Sequence, residues 1–488
     1  MYVEERRVIR PRKIIQVAAP LVAIATLMIG LRIGAGDAVR AVIVTGAPSA
    51  KTPPSGKTRL AWQLLSFREE SGVRETITLR GLTVTARAKG QEARWQGDTN
   101  VDGVAELSFE FEGDPGKEIE LEVRAEGDPM PLASGSAEIP APKPSFGEPS
   151  GGALSPNKRE GPIDLDLIIE TGRLVTGFPT PVWIHVVPPA GIAPDSVTLE
   201  AEPEVGLDVA EAPKKPCANG WTEMRATALG HVVGISIKAT SGDAKGFWFG
   251  ALPVAAGAFF PSIDRVVPED KETTAVLIAP NPRNVVYAEV DDERGRAIAA
   301  GLDVKTDADA DAGDATPRAR FTIPPLAPGL HWLIVSGEPR GGEKLRGATV
   351  ARPFLVGAPP AGASLTARIG DAERACDVGP YLAQHPTSGL TRYISLDGFP
   401  ARNQKNRERH RTGMFIAMVS LVAAAILEVL LLAAASREAR IQLQLAELDE
   451  DAPAEKVTAK PPGGGLAIGL LVAILGFALL AALLVMKG

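Results

Sequence analysis

Few residue sets in this chain have the type and spacing for chemistry. Glu428 stands out by its setting, as the single charge in the 25-residue run Thr412–Ser436, TGMFIAMVSLVAAAILEVLLLAAAS. A helix of that length, at about 1.5 Å per residue, exceeds the roughly 30 Å hydrocarbon core of a bilayer. A carboxylate inside such a span costs on the order of 3 kcal/mol. Glu428 is therefore either a proton-sensitive or partner-binding group that meets another helix, or a glutamate near one end that reaches the interface or is simply neutral. Nothing basic in Leu466–Val485 can pair with it.

The other sets lose their chemistry on inspection. Ser55-Gly56-Lys57-Thr58 matches the end of a phosphate-binding loop, but the first glycine of that motif falls on Lys51, and Pro53 and Pro54 intervene. Asp307, Asp309, Asp311 and Asp314 alternate like calcium ligands. The loop would need glycine at position 312 and glutamate at 318, and the chain has Ala312 and Arg318. Asp98, Asn100, Asp102 and Gly103 match the first half of the same loop, but its twelfth position is Phe109. His185, His231, His331, His385 and His410 are scattered, the first three within strand patterns, and read as structural. No catalytic residue, cofactor site or metal site is expected. Cys217 and Cys376 are the only cysteines: either one bridge outside the cytoplasm or two unpaired thiols.

The surrounding elements read as β structure. The 50 glycines and 41 prolines suit many short strands and turns. Ala105, Leu107, Phe109 and Phe111 alternate with Glu106, Ser108 and Glu110; Ile119, Leu121, Val123 and Ala125 alternate with Glu118, Glu120, Glu122 and Arg124. Period two with one apolar and one charged face predicts half-buried antiparallel strands. Turns are marked by Gly97-Asp98, Asp102-Gly103 and Asp114-Pro115-Gly116.

The run from Trp95 through Thr99, Asn100, Asp102 and Gly103 to Leu107 resembles the Thr-(Asp/Asn)-x-x-Gly hairpin of bacterial immunoglobulin-like and macroglobulin-like β-sandwich domains. The resemblance covers residues 58–140, with a fainter echo at 264–357 around Asp291 and Gly295, and implies a fold rather than an activity. The thioester Cys-Gly-Glu-Gln of trapping macroglobulins is absent, since Ala218 follows Cys217 and Asp377 follows Cys376.

The expected fold class is mainly β: tandem immunoglobulin-like β-sandwich domains with three transmembrane helices, one N-terminal and two C-terminal. A cytoplasmic N-terminus (1–13) precedes a transmembrane helix or signal anchor (14–33), with a cleaved signal peptide as the alternative. A sandwich at 58–140, a Pro/Gly-rich linker at 141–162 and β domains at 163–262 and 263–357 follow. Then come a juxtamembrane segment (358–411), a transmembrane helix (412–436), a short cytoplasmic loop (437–464) and a transmembrane helix (465–486). Gly465, Gly469, Ala473 and Gly476 fall on one face of the last helix, and small residues at such spacing let helices approach closely.

Arg402, Lys405, Arg407, Arg409 and Arg411 precede Thr412 and would lie outside, against the positive-inside tendency. A span at Gly246–Ile263, 18 uncharged residues, would satisfy that tendency, but Pro253, Pro261 and three glycines oppose a helix there. The net charge of −7 gives no footprint for nucleic acid. The expected partners are the lipid bilayer and envelope or membrane proteins, at a bacterial inner membrane with the β region extracytoplasmic. The expected role is non-catalytic, structural or interaction-bearing. The alternative is an accessory subunit of a membrane transport, secretion or signalling complex that uses the C-terminal helix pair and Glu428.

Overall fold

The computed structural model describes residues 24, 28, 38–46, 50–51, 57–70, 72–139, 152–279, 284–292, 295–305, 316–339, 349–357, 375–387 and 394–448, with some side chains of 417–448 left out. The first transmembrane expectation at 14–33, apart from Ile24 and Met28, lies outside the described residues. So do Asp307, Asp309, Asp311 and Asp314, and Gly465, Gly469, Ala473 and Gly476. Residues Arg40–Phe399 form one compact unit; Pro400 onward groups with the N-terminal residues as another.

Within Arg40–Phe399 the strands close into three sandwiches. In the first, Lys57–Glu70 pairs with Val104–Glu112, from Lys57 opposite Glu112 to Leu65 opposite Val104. The facing sheet runs in the order Gln91–Gly97, Leu82–Ala88, Glu118–Arg124, Ala133–Glu138. The alternation read in the sequence is what fills this core: Leu107, Phe109, Phe111, Ile119, Leu121 and Val123 point inward around Trp62. Trp62 and Phe109 meet edge to face at 5.8 Å, and each large apolar side chain fully buried contributes about 1.5–3 kcal/mol.

The second sandwich packs Lys158–Glu160, Ala244–Leu252, Val233–Ser241 and Thr198–Pro203 against Asp164–Ile169, Thr180–Val187, Trp221–Ala228 and Leu207–Glu211, each set given in sheet order. Residues 246–263, the alternative span, belong here and at the start of the next domain. Phe247 and Phe249 pair with Glu160 and Lys158, while Trp248 turns into the core. A stretch laddered on both sides within a sandwich cannot be a membrane helix. The third sandwich packs Phe260–Ser262, Thr273–Ile278 and Arg318–Ile323 against a five-stranded sheet in the order Val266–Val267, Val350–Val356, Gly329–Ser336, Val285–Asp292, Arg296–Asp303.

Several boundaries differ from the sequence reading. Val39–Gly46 already belongs to the first sandwich, ahead of residue 58. Lys158–Glu160, inside the expected linker, is a strand. His231 sits in the bend before Val233–Ser241 rather than in a strand. The largest difference is in the segment read as juxtamembrane. Helix α1 (Ala375–Ala383) lies there, and Ile394–Asp397 returns as a strand to pair with Ile43–Gly46 of the first sandwich. The described parts of the segment within this unit, 375–387 and 394–397, form a strap on the sandwiches rather than a less regular juxtamembrane stretch.

Helix α2 (Phe399–Leu448) is 50 residues of continuous helix, about 75 Å at 1.5 Å per residue. It begins well before Thr412 and carries the basic cluster Arg402–Arg411 on its first turns. The Glu428 side chain lies outside the described residues. Among the described residues no helix is both long and apolar enough to cross a membrane.

Candidate functional site

The polar and aromatic residues with the most specific surroundings lie where sandwiches meet. Among the strands buried on both faces, three mark seams. In Val285–Asp292, Val286, Ala288 and Val290 face the third core, so Tyr287 and Glu289 face away from it, toward the first sandwich. In Gly329–Ser336, Leu333 and Val335 face that core while Leu330, Trp332 and Ile334 lie under α1. In Thr180–Val187, Val182, Ile184 and Val186 face the second core and Trp183 faces outward.

The seam between the first and third sandwiches is polar and closely matched. Gly103, at φ +72°, closes the hairpin turn, and a Cβ there would come within 2.8 Å of the Ser66 and Ile77 carbonyl oxygens. Asn100 Oδ1 accepts from the backbone N–H of Asp102 and of Val104, each at 3.0 Å. The turn so shaped presents two groups to one partner: Asn100 Nδ2 donates to the Tyr287 hydroxyl, and that hydroxyl donates to Asp102 Oδ2, both at 2.7 Å. Burial, with the bond to Asp102, raises the pKa of Tyr287, which keeps the donating proton in place. Beside it Arg296 donates to Glu289 of its own sandwich at 2.5 Å and to Glu106 of the first at 2.8 Å. Gln63 donates to the other oxygen of Glu106 at 2.7 Å. The Asp98–Gly103 set is thus a turn and a docking knuckle.

The seam between the second and third sandwiches centres on Glu170, whose side chain is 0% exposed. Arg265 donates to Glu170 Oε2 through Nε at 2.9 Å and Nη2 at 2.6 Å, and to Glu223 Oε2 through Nη1 at 2.9 Å. Trp183 Nε1 donates to the same Glu170 oxygen at 3.2 Å, and the Arg265 guanidinium lies 5.1 Å from the Trp183 ring. Arg352 stands 3.8 Å from Glu170 Oε1 and donates to the Pro261 carbonyl at 2.9 Å. Burial lowers the pKa of Arg352, opposed by Glu170. At Arg265 burial acts in the same direction, but Glu170 and Glu223 outweigh it and the pKa is raised. Phe178 and Phe260 stack across the same seam at 5.2 Å.

Helix α1 lies over this second seam. Val378 and Leu382 pack with Leu330, Trp332 and Leu355, and Ala383 packs with Ile168 and Trp183. Trp332 Nε1 donates to the His385 carbonyl at 2.7 Å. A Cβ on Gly379 would lie 1.9 Å from Trp183, so only glycine allows this approach. Cys376 is disulfide-bonded to Cys217 of the second sandwich, 159 residues earlier, with Cα atoms 6.4 Å apart, within the span of a disulfide. Asn219 Nδ2 adds bonds to the Cys376 carbonyl at 2.9 Å and to Asp377 Oδ1 at 3.2 Å.

These contacts build a clasp between the sandwiches. Among the described residues no three His, Cys, Asp or Glu side chains are grouped to hold a metal. A void at the first seam, lined by Gln63, Tyr287, Glu289, Arg296 and Ser336, has a volume of about 10 Å³, room for about one water. His331 is buried against Phe354, its Nδ1 donates to the Gly329 carbonyl at 3.2 Å, and burial pushes its pKa down to about 4. His185 stacks on Trp221 at 4.5 Å. Of the residues singled out in the sequence, the structure joins Cys217 to Cys376, and Asn100 to Asp102 within their turn. Trp183, Trp332, Gly379, Glu170, Arg265 and Arg296 were given no functional role there. The signal that could have found them is the apolar content of both faces of Leu330–Val335 and Thr180–Val187.

No protein-family profile and no curated protein sequence matches the chain. Solved structures that align with it include invasin, a bacterial integrin-binding protein, at 8% identity over 66% of this chain and 60% of that one, with TM-score 0.16. The Escherichia coli adhesin FdeC aligns at 11% identity over 66% and 98%, with TM-score 0.15, and immunoglobulin domains 1–5 of Sidekick-1 at 10% over 66% and 59%, with TM-score 0.13. The chain thus spans less than two thirds of the length of invasin. At these scores the sandwich assignment rests on the strand pairing described above.

Proposed function

We propose that this chain is a non-catalytic, membrane-anchored envelope protein that presents three clasped β-sandwiches for structural or protein-interaction roles. Its partners are then the bilayer and other envelope or membrane proteins, and its place a bacterial inner membrane with Arg40–Phe399 extracytoplasmic. The observation that carries the reading is the clasp. The Cys217–Cys376 bridge pins α1 over the second and third sandwiches, and Ile394–Asp397 pairs with the first. A disulfide persists in an oxidising compartment, which favours export of the unit.

The membrane part is supported by α2 itself. Phe415, Ile416, Met418, Val419, Val422, Ile426, Val429 and Leu430 stand exposed, an arrangement that lipid would satisfy and water would not. Thr412 and Ser436, at the two ends of the apolar run, donate to the Glu408 and Ala433 carbonyls of their own helix, at 2.9 and 2.8 Å. Neither hydroxyl then needs an outside partner.

The test is a pair of fusions. A phosphatase that folds only under oxidising conditions is joined after Asp397 or after Leu448. Activity at the first site alone supports the reading. Activity at the second alone inverts the topology, and activity at both removes the span.

A further inference from the structure

Helix α1 has little reason to be helical alone. It has nine residues and carries Gly379 and Pro380 in its body, whereas isolated helices in water need about 12–15 good formers. Its order comes from docking on Trp183 and Trp332 and from one covalent bond at its first turn. The two ends of that bond are unequal. Cys217 sits in a turn closed by the second sandwich itself: its N–H donates to the Trp221 carbonyl at 2.9 Å, and the Gly220 N–H donates to the Cys217 carbonyl at 2.8 Å. That turn does not need the bridge. The helix that carries Cys376 does. Both cysteines are half-buried, within reach of a reductant.

We infer that Cys217–Cys376 is a redox latch on the strap, opened by thiol–disulfide exchange with a dithiol reductant. The dithiol supplies two electrons and two protons. The S–S bond breaks, Cys217 and Cys376 become thiols, and the reductant leaves as its own disulfide. With the pin gone, docking of α1 becomes a local equilibrium, and Trp183 and Trp332, each 1% exposed in the closed strap, lose their cover. The sandwiches keep their own ladders. The inference concerns the strap alone, not the orientation of the chain in a membrane.

The test is hydrogen exchange followed by mass spectrometry on the full chain in detergent micelles, oxidised and after dithiothreitol, with the bridge state read from intact mass. Exchange at residues 376–385 should speed up at least tenfold on reduction, while Thr180–Val187 and Gly329–Ser336 stay protected. Reoxidation should restore the slow rate. A Cys217→Ser/Cys376→Ser chain should exchange fast with or without reductant. Unchanged exchange at 376–385 in chains whose bridge is open would overturn the inference. So would loss of protection throughout the second sandwich together with the strap, which would make the bridge a structural staple. Should the double variant not fold, the reduced wild-type chain decides the question.

Discussion

Arg296 shows how much of this molecule hangs on single side chains. Its side chain is 6% exposed and holds two carboxylates, Glu289 from its own sandwich and Glu106 from the first. Removing one partner of a buried ion pair leaves the rest uncompensated, at a cost of about 3–5 kcal/mol. Arg296→Met should therefore lower stability by that amount in urea denaturation, with the third sandwich melting first; an unchanged midpoint would mean the seam is wet. His331 makes a prediction in pH. Burial holds its folded pKa at about 4, against the 6.5 of an ordinary histidine. Between those values the unfolded chain binds a proton that the folded chain does not. Stability is therefore whole above pH 6.5 and declines as the pH falls toward about 4, by up to about 3 kcal/mol. His331→Leu should flatten that part of the stability–pH curve, as measured by urea midpoints at about pH 4.5 and 7. Little of this was legible in the sequence. Asn100 and Asp102 announce a turn because their nearest partners are two to four residues away, but their partner Tyr287 is more than 180 residues distant, and no local pattern carries that pairing.

At the scale of elements, strands with one wet face were read correctly because a charged residue at every second position leaves only one register. Glu118–Arg124 is such a strand. Strands covered on both faces gave the same text without its cue. Gly329–Ser336 reads as an apolar run, which says that both faces are buried and not what buries them. Helix α1 was invisible, since a nine-residue helix with Gly379 and Pro380 has neither length nor periodicity. Its fit is testable by crowding it. Gly379→Ala places a methyl 1.9 Å from the Trp183 ring, and overpacking of this kind costs about 1–3 kcal/mol. Proteolysis of the strap should accelerate, and Gly379→Ala/Trp183→Leu should recover part of the protection. A single variant as resistant as wild type would show that the contact is loose.

For the whole molecule, composition and alternation indicated a mainly β chain, and the hairpin resemblance indicated a sandwich at 58–140. They did not indicate that the chain passes back from the third sandwich to the first. That return depends on Ile394–Asp397 finding Ile43–Gly46, some 350 positions earlier, and on a disulfide whose two cysteines could equally have been read as free thiols. The apolar run at Gly246–Ile263 was ambiguous in length alone, and its proline and glycine content resolved it toward strand.

The central claim is that the clasped unit is exported with its bridge closed. The most direct measurement is labelling of Cys217 and Cys376 in intact cells with a membrane-impermeant thiol reagent, before and after an impermeant reductant. The account predicts no labelling without reductant and labelling of both cysteines after it. Labelling of both only after lysis, with no reductant needed, would contradict it: the bridge would be open and the unit would lie on the cytoplasmic side.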